Sequence, residues 1–216
     1  MRVTRTSGGL RVHAVAGTYV VALGFHLPRD QCAGLLGFSI HRTDHQGEEA
    51  YWLKGSKTFD ETDPGFPPAG AQYSTAEHPI QSFQWADYSA KPGRRYTYRI
   101  LARKGTPRAL TTYAEVKLDI ATECPENGDH DVYFNRGIAA SQEYVRRFGD
   151  RSPPDNPPDL IADPIYGWLS RGLYEALTDF VNSCEPGRDA LRVAAYEFAF
   201  APFLGVLKAA SERGVD

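Results

Sequence analysis

The stretch Ala90-Lys91-Pro92-Gly93-Arg94-Arg95-Tyr96-Thr97-Tyr98-Arg99-Ile100-Leu101-Ala102 decides the fold of the first half of the chain. Pro-Gly sets a turn, because proline presets one backbone angle and glycine tolerates a positive one. The residues after it alternate with period two, which places Tyr96, Tyr98 and Ile100 on one face of a strand. A tyrosine at the start of such a strand can tie the preceding turn back to the sheet through its phenol, a tyrosine corner.

The surrounding sequence carries the same period. Val12 to Leu27 is rich in β-branched and aromatic residues and is broken by Pro28-Arg29-Asp30. Leu35 to Arg42 alternates with Leu36, Phe38 and Ile40 inward, and Asp44-His45-Gln46-Gly47 reads as a turn. Ala50 to Phe59 and Ile80 to Tyr88 are further runs. Between them, residues 63–70 hold three prolines and must be loop, since proline withholds a ladder donor. Arg95 to Lys104 and Ala114 to Ala121 complete roughly six or seven short strands, the pattern of an all-β sandwich. Over residues 10–122, the Pro-Gly and Tyr-x-Tyr segment with Lys104-Gly105 and Ala114–Leu118 resembles the last two strands of fibronectin type III domains. An unrelated immunoglobulin-like sandwich remains the alternative.

Residues 123–163 change character and are expected to be a linker. Phe134 to Phe148 is compatible with a short helix, with Ile138, Ser141, Gln142 and Val145 in one row and Gly149 as its stop. Four prolines between Pro153 and Pro158 make an extended spacer, expected to separate two domains. The period then becomes 3.6. Asp163-Pro164 is a cap followed by proline at the first helical position. Ile165, Trp168, Leu169, Leu173, Leu177, Phe180 and Val181 form one stripe, ending before Pro186-Gly187. Leu191 to Phe198 reads as a buried strand. Pro202 opens a helix carrying Phe203, Val206, Leu207 and Ala210, which Glu212-Arg213-Gly214 closes. Val215-Asp216 reads as the first step of another strand, so residues 164–216 are expected to be the truncated start of an α/β domain whose folding unit continues beyond Asp216.

Leu173–Leu177, Leu191–Phe198 and Leu204–Asp216 resemble the opening of a phospholipase D superfamily domain: helix, strand, then a helix ending in Arg-Gly-Val. Tyr133–Gly137 and the β-domain look like bacterial members with an N-terminal fibronectin-like module. The resemblance implies phosphodiester hydrolysis by paired HxKxxxxD motifs. One histidine attacks phosphorus, the other protonates the leaving oxygen, and lysines hold the phosphoryl oxygens. None of the six histidines here is followed by lysine two positions on. The expectation is therefore a non-catalytic N-terminal portion, with a lipid or nucleic-acid phosphodiester as substrate only in the complete protein. This reading requires Leu191–Phe198 to be a sheet strand.

The remaining constellations are weaker. His41 and His45 have the spacing of a helical zinc pair but flank a strand and a turn. Asp44, Glu48 and Glu49 read as a solvated hairpin end rather than a calcium site. Trp52, Trp85 and Tyr88 read as core aromatics before a binding platform. Tyr196 and Glu197, at the carboxyl end of the expected strand, are the only substrate-pocket candidates. No cofactor or metal is expected.

A net charge of −3 makes no global case for nucleic acid. Three widely spaced cysteines fit reduced thiols and a cytoplasmic location. No window approaches the ~18 apolar residues of a membrane span. The rival reading is an adaptor that binds a protein or glycan through the β-domain, or a partner through an exposed C-terminal sheet edge.

Overall fold

The computed structural model describes residues 1–216 except 66, 69, 127–129, 138–141, 150, 156 and 158, and only the backbone of Gln142. It divides into two compact units, Met1–Val132 and Tyr133–Asp216.

Alternation builds the first unit. Its strands are β1 (Arg2–Ser7), β2 (Leu10–Ala16), β3 (Val21–His26), β4 (Gly37–Asp44), β5 (Glu49–Trp52), β6 (Lys54–Gly55), β7 (Tyr73–Ser74), β8 (Gln84–Asp87), β9 (Arg95–Thr106) and β10 (Ala109–Ala121). They pair as one sheet in the order β1-β2-β3-β8 and a second in the order β10-β9-β4-β5, with β6 and β7 a separate two-stranded ladder. Every pairing is antiparallel. Leu10, Val12, Val21 and Leu23 from the first sheet share one core with Ile40, Tyr98, Ile100 and Val116 from the second, as two facing sheets do. Phe25 and Phe38 stack across it with ring centroids 4.5 Å apart.

The deciding stretch forms as read. Tyr96, Tyr98 and Ile100 are buried on one face of β9. The Lys91 N–H donates to the Tyr96 phenol oxygen at 2.8 Å, so the phenol ties the Lys91–Gly93 turn to the strand. Gly93 sits in that turn at φ 64°, where a side chain would be strained.

Two readings at the start of the chain change. The Val12–Leu27 run is a hairpin, β2 and β3, turned where the Gly17 N–H donates to the Val20 carbonyl. The β-unit begins at Arg2 rather than at residue 10. β1 is almost wholly exposed and polar, so no apolar alternation marks it. Its pairing to β2 makes it a strand.

A polar cluster crosses the two sheets. Arg42 of β4 and Asp87 of β8 are only 2% and 3% exposed and pair at 2.8 Å. Asp87 also accepts from the Tyr98 hydroxyl at 2.7 Å and from the backbone and hydroxyl of Ser89. Arg42 donates to Ser89 and Tyr51 and lies over the Tyr51 and Tyr96 rings.

The second unit contains α1 (Gln142–Phe148), α2 (Pro164–Ser170), α3 (Leu173–Asn182) and α4 (Ala201–Glu212). Asp163 caps α2 as expected, accepting from the Ile165 and Tyr166 N–H groups at 2.9 Å each. Gly149 ends α1 at φ 65°. Phe203, Val206, Leu207 and Ala210 of α4 pack with Val181 and Val215.

Four expectations are corrected here. The proline-rich run lies inside the second unit, not between units. On its near side, buried Tyr144 and half-buried Phe148 pack against Trp168 beyond it, with centroids 6.0 and 5.8 Å away. Of the expected Phe134–Phe148 helix, residues 134–137 are not helical. Ile138, Ser141 and the Gln142 side chain lie outside the described residues.

The single stripe of residues 165–181 is broken, because Arg171 and Gly172 adopt φ of 53° and 86° and start a new helix. Leu177 and Phe180 consequently face solvent, at 40% and 64% exposure. Finally, Leu191–Phe198 is not a strand. A strand needs a backbone neighbour, and here only the Leu191 N–H finds one, the Asp216 carbonyl at 2.7 Å. The second unit accordingly has no sheet, and so no sheet edge, among its described residues.

The Arg42–Asp87 clasp makes a stability prediction. Arg42→Met leaves a buried carboxylate without its cation and is expected to cost about 3–5 kcal/mol in urea unfolding. Arg42→Met combined with Asp87→Leu should cost less than Arg42→Met alone. A double variant at least as unstable as the single one counts against the clasp.

Candidate functional site

Backbone breaks place the side chains of the second unit. The kink at Arg171-Gly172 turns α3 away from α2, and α4 opens with Pro202 in its first turn behind an extended Phe200 at φ −76° and ψ 96°. Between these elements is a cavity of about 430 Å³. Its walls are mostly apolar, with Leu169, Leu173, Phe203 and Leu204 contributing. Phe200 meets Tyr166 and Tyr174 with centroids 6.5 and 6.0 Å apart.

Few polar groups reach this cavity. Arg136 is held by its own fold: its N–H donates to the Leu169 carbonyl at 2.7 Å, its guanidinium donates to the Trp168 carbonyl, and it lies 4.4 Å over the Trp168 ring. The Ser170 hydroxyl donates to Glu175 and accepts from the Tyr174 N–H, both at 2.9 Å. Glu197 lines the cavity, but Tyr196 does not and is fully exposed. The cavity can accept an apolar group beside one carboxylate.

Sequence reasoning missed Arg136, Tyr166, Tyr174 and Phe200 as cavity residues. The two tyrosines lie within an ordinary helical pattern, and Arg136 reaches the site through a backbone contact that leaves no trace in spacing.

The other candidates have structural partners. His41 packs edge-on against Trp52 at 5.2 Å, and burial first, then the Arg99 charge, lower its pKa from the usual histidine value. His45 shares a hydrogen bond with Thr97 at 2.7 Å. Trp52 and Trp85 are half-buried, Trp85 against the core, whereas Tyr88 is exposed. Among the described residues no group of three His, Cys, Asp or Glu side chains could hold a metal ion, and no helix is long and apolar enough to cross a membrane. Neither a protein-family model nor a curated protein matches the chain.

In the acidic group, Asp44 is buried and its Oδ1 accepts from the Gln46 and Gly47 N–H groups at 3.0 and 2.9 Å. Burial opposes its ionisation. The two N–H bonds and the charges of Arg94 and Lys91 outweigh that and hold the carboxyl below its usual range. A depressed folded-state pKa contributes stability that is complete above about pH 4 and is lost as pH falls through the lowered value. Asp44→Asn keeps an acceptor for the turn but no charge. It should flatten the acid limb of stability below about pH 4, measured by urea midpoints from pH 2 to 6. An unchanged limb would assign the acid sensitivity to other groups.

Proposed function

We propose that the chain is the non-catalytic, N-terminal portion of a phospholipase D-like phosphodiesterase, with a fibronectin III-like sandwich ahead of the α/β domain that performs the chemistry. What supports the reading is α4 (Ala201–Glu212), which forms where the resemblance expects a helix and runs into Arg213-Gly214-Val215. Against it stands Leu191 to Phe198: among the described residues its one backbone bond is from the Leu191 N–H to the Asp216 carbonyl, and Val193, Tyr196 and Phe198 lie exposed. The strand that the sequence reading required is not formed here, so the proposal requires it to form in a longer chain.

Two facing antiparallel sheets and the Lys91–Tyr96 bond support the sandwich as fibronectin III-like. In the complete protein the substrate would be a lipid or nucleic-acid phosphodiester, attacked by a histidine supplied downstream.

Three measurements test this. The 216-residue chain should hydrolyse a chromogenic phosphodiester no faster than a heat-killed control. The reading frame beyond codon 216 should continue into an HxKxxxxD motif. In that longer protein, the amides of Val193 to Phe198 should gain at least about a hundredfold protection from hydrogen exchange, as inner strands do. A stop codon at 217, or amides that stay unprotected in the longer protein, would overturn the proposal.

The missing strand favours a second reading, an adaptor whose β-unit recognises a protein or glycan. A stop codon at 217 together with a soluble monomer that binds such a partner through the isolated β-unit surface would support it.

A further inference from the structure

We propose that the cavity of the second unit is a binding site for a hydrophobic primary amine. At about 430 Å³ it falls within the size range of small-molecule sites. Leu169, Leu173 and Leu204 give it an apolar wall, and a run of rings continues that wall. Phe200 is the middle ring, 6.5 Å from Tyr166 and edge-on to Tyr174 at 6.0 Å.

The polar groups set the charge of the ligand. Glu197 is the one carboxylate in the lining, and no hydrogen bond or ion pair joins it to the described residues. It lies three residues before Phe200, in the segment that runs into α4. The one lining cation, Arg136, is already engaged: its guanidinium donates to the Trp168 carbonyl and lies 4.4 Å over the Trp168 ring. The Ser170 hydroxyl is used on both sides, donating to Glu175 and accepting from the Tyr174 N–H. The uncompensated charge at the wall is therefore negative. An aromatic face attracts a cation within about 6 Å of its centroid, so rings and carboxylate favour the same sign. A carboxylate also accepts hydrogen bonds, which an ammonium bearing N–H groups donates and a quaternary one cannot. The class that meets all three conditions is a primary ammonium on an apolar chain, its nitrogen at Glu197 and its carbon body among the leucines. The proposal concerns the 216-residue chain and does not rest on the phosphodiesterase reading.

An NMR titration of the whole chain at neutral pH and low salt, read from the Tyr174 and Phe203 amides, tests it with hexylammonium, hexanol and hexanoate. Hexylammonium should bind about tenfold tighter than hexanol, the combined effect of one exposed ion pair and one cation–π contact. Hexanoate should bind more weakly than hexanol. Glu197→Gln keeps the size of an exposed, unpaired side chain and removes only its charge. It should weaken hexylammonium about threefold to fivefold and leave hexanol unchanged. Hexyltrimethylammonium, a cation without N–H groups, should bind the wild type more weakly than hexylammonium, which keeps the proposal open to test should the variant not fold. Equal affinity for hexylammonium and hexanol overturns the proposal. So does an amine preference that survives intact in Glu197→Gln, a quaternary cation that binds as tightly as the primary one, or the absence of any shift. Tighter binding of hexanoate overturns it in favour of an anion held by Arg136.

Discussion

The β-unit depends on one buried ion pair between its sheets. Arg42 belongs to a strand of one sheet and Asp87 to a strand of the other, and both are almost fully removed from water. Isolated, either charge would be strongly destabilising there. Together they are held by each other, by Tyr98 and Ser89, and by the faces of Tyr51 and Tyr96, with the Arg42 Nε left as the one buried atom of the pair without a hydrogen-bond partner among the described residues. The pair therefore specifies how the sheets face each other, because any slip that separated Arg42 from Asp87 would strand two charges in the core. Tyr96 links this cluster to the turn that precedes β9, since its ring covers Arg42 while its phenol accepts from Lys91. A core of Leu, Val and Ile would tolerate several packings. The clasp leaves one.

Among the described residues of the second unit, the ion pairs are between at least partly exposed side chains. Its helices are locally well specified, by the Asp163 cap, the Gly149 stop and the proline that opens α4. Its apolar surface is not fully used. Val193, Phe198 and Phe180 remain in contact with water, and within Leu191–Phe198 the one backbone bond among the described residues is from the Leu191 N–H to the Asp216 carbonyl. The cavity beside Glu197 belongs to the same underpacked region. Among the described residues of this unit there is no sheet, so the Leu191–Phe198 segment has no strand beside it.

The legible parts of the fold were those governed by local rules. The Tyr96-x-Tyr98-x-Ile100 alternation, the Asp44–Gly47 turn, the Asp163 cap and the α4 stripe each follow from a few neighbouring residues. The illegible parts were set by distant ones. β1 has no apolar face and exists because β2 lies beside it. The proline run seemed to separate domains, but Trp168 packs with Tyr144 and Phe148 across it. Glu197 lines the cavity and Tyr196 does not, a division that depends on where α2, α3 and α4 lie and leaves no trace in residue spacing.

By itself, the sequence determined where backbone could and could not run as strand or helix, which residues wanted burial, and that no histidine begins a phosphodiesterase motif. Tertiary structure alone decided that Arg42 meets Asp87, that the Phe59 N–H meets the His78 ring, and that Leu191–Phe198 has no strand partner among the described residues. The reason is physical. Propensity and period act over a turn or a few residues, whereas ion pairs and strand pairing are settled by whichever group arrives from elsewhere in the chain.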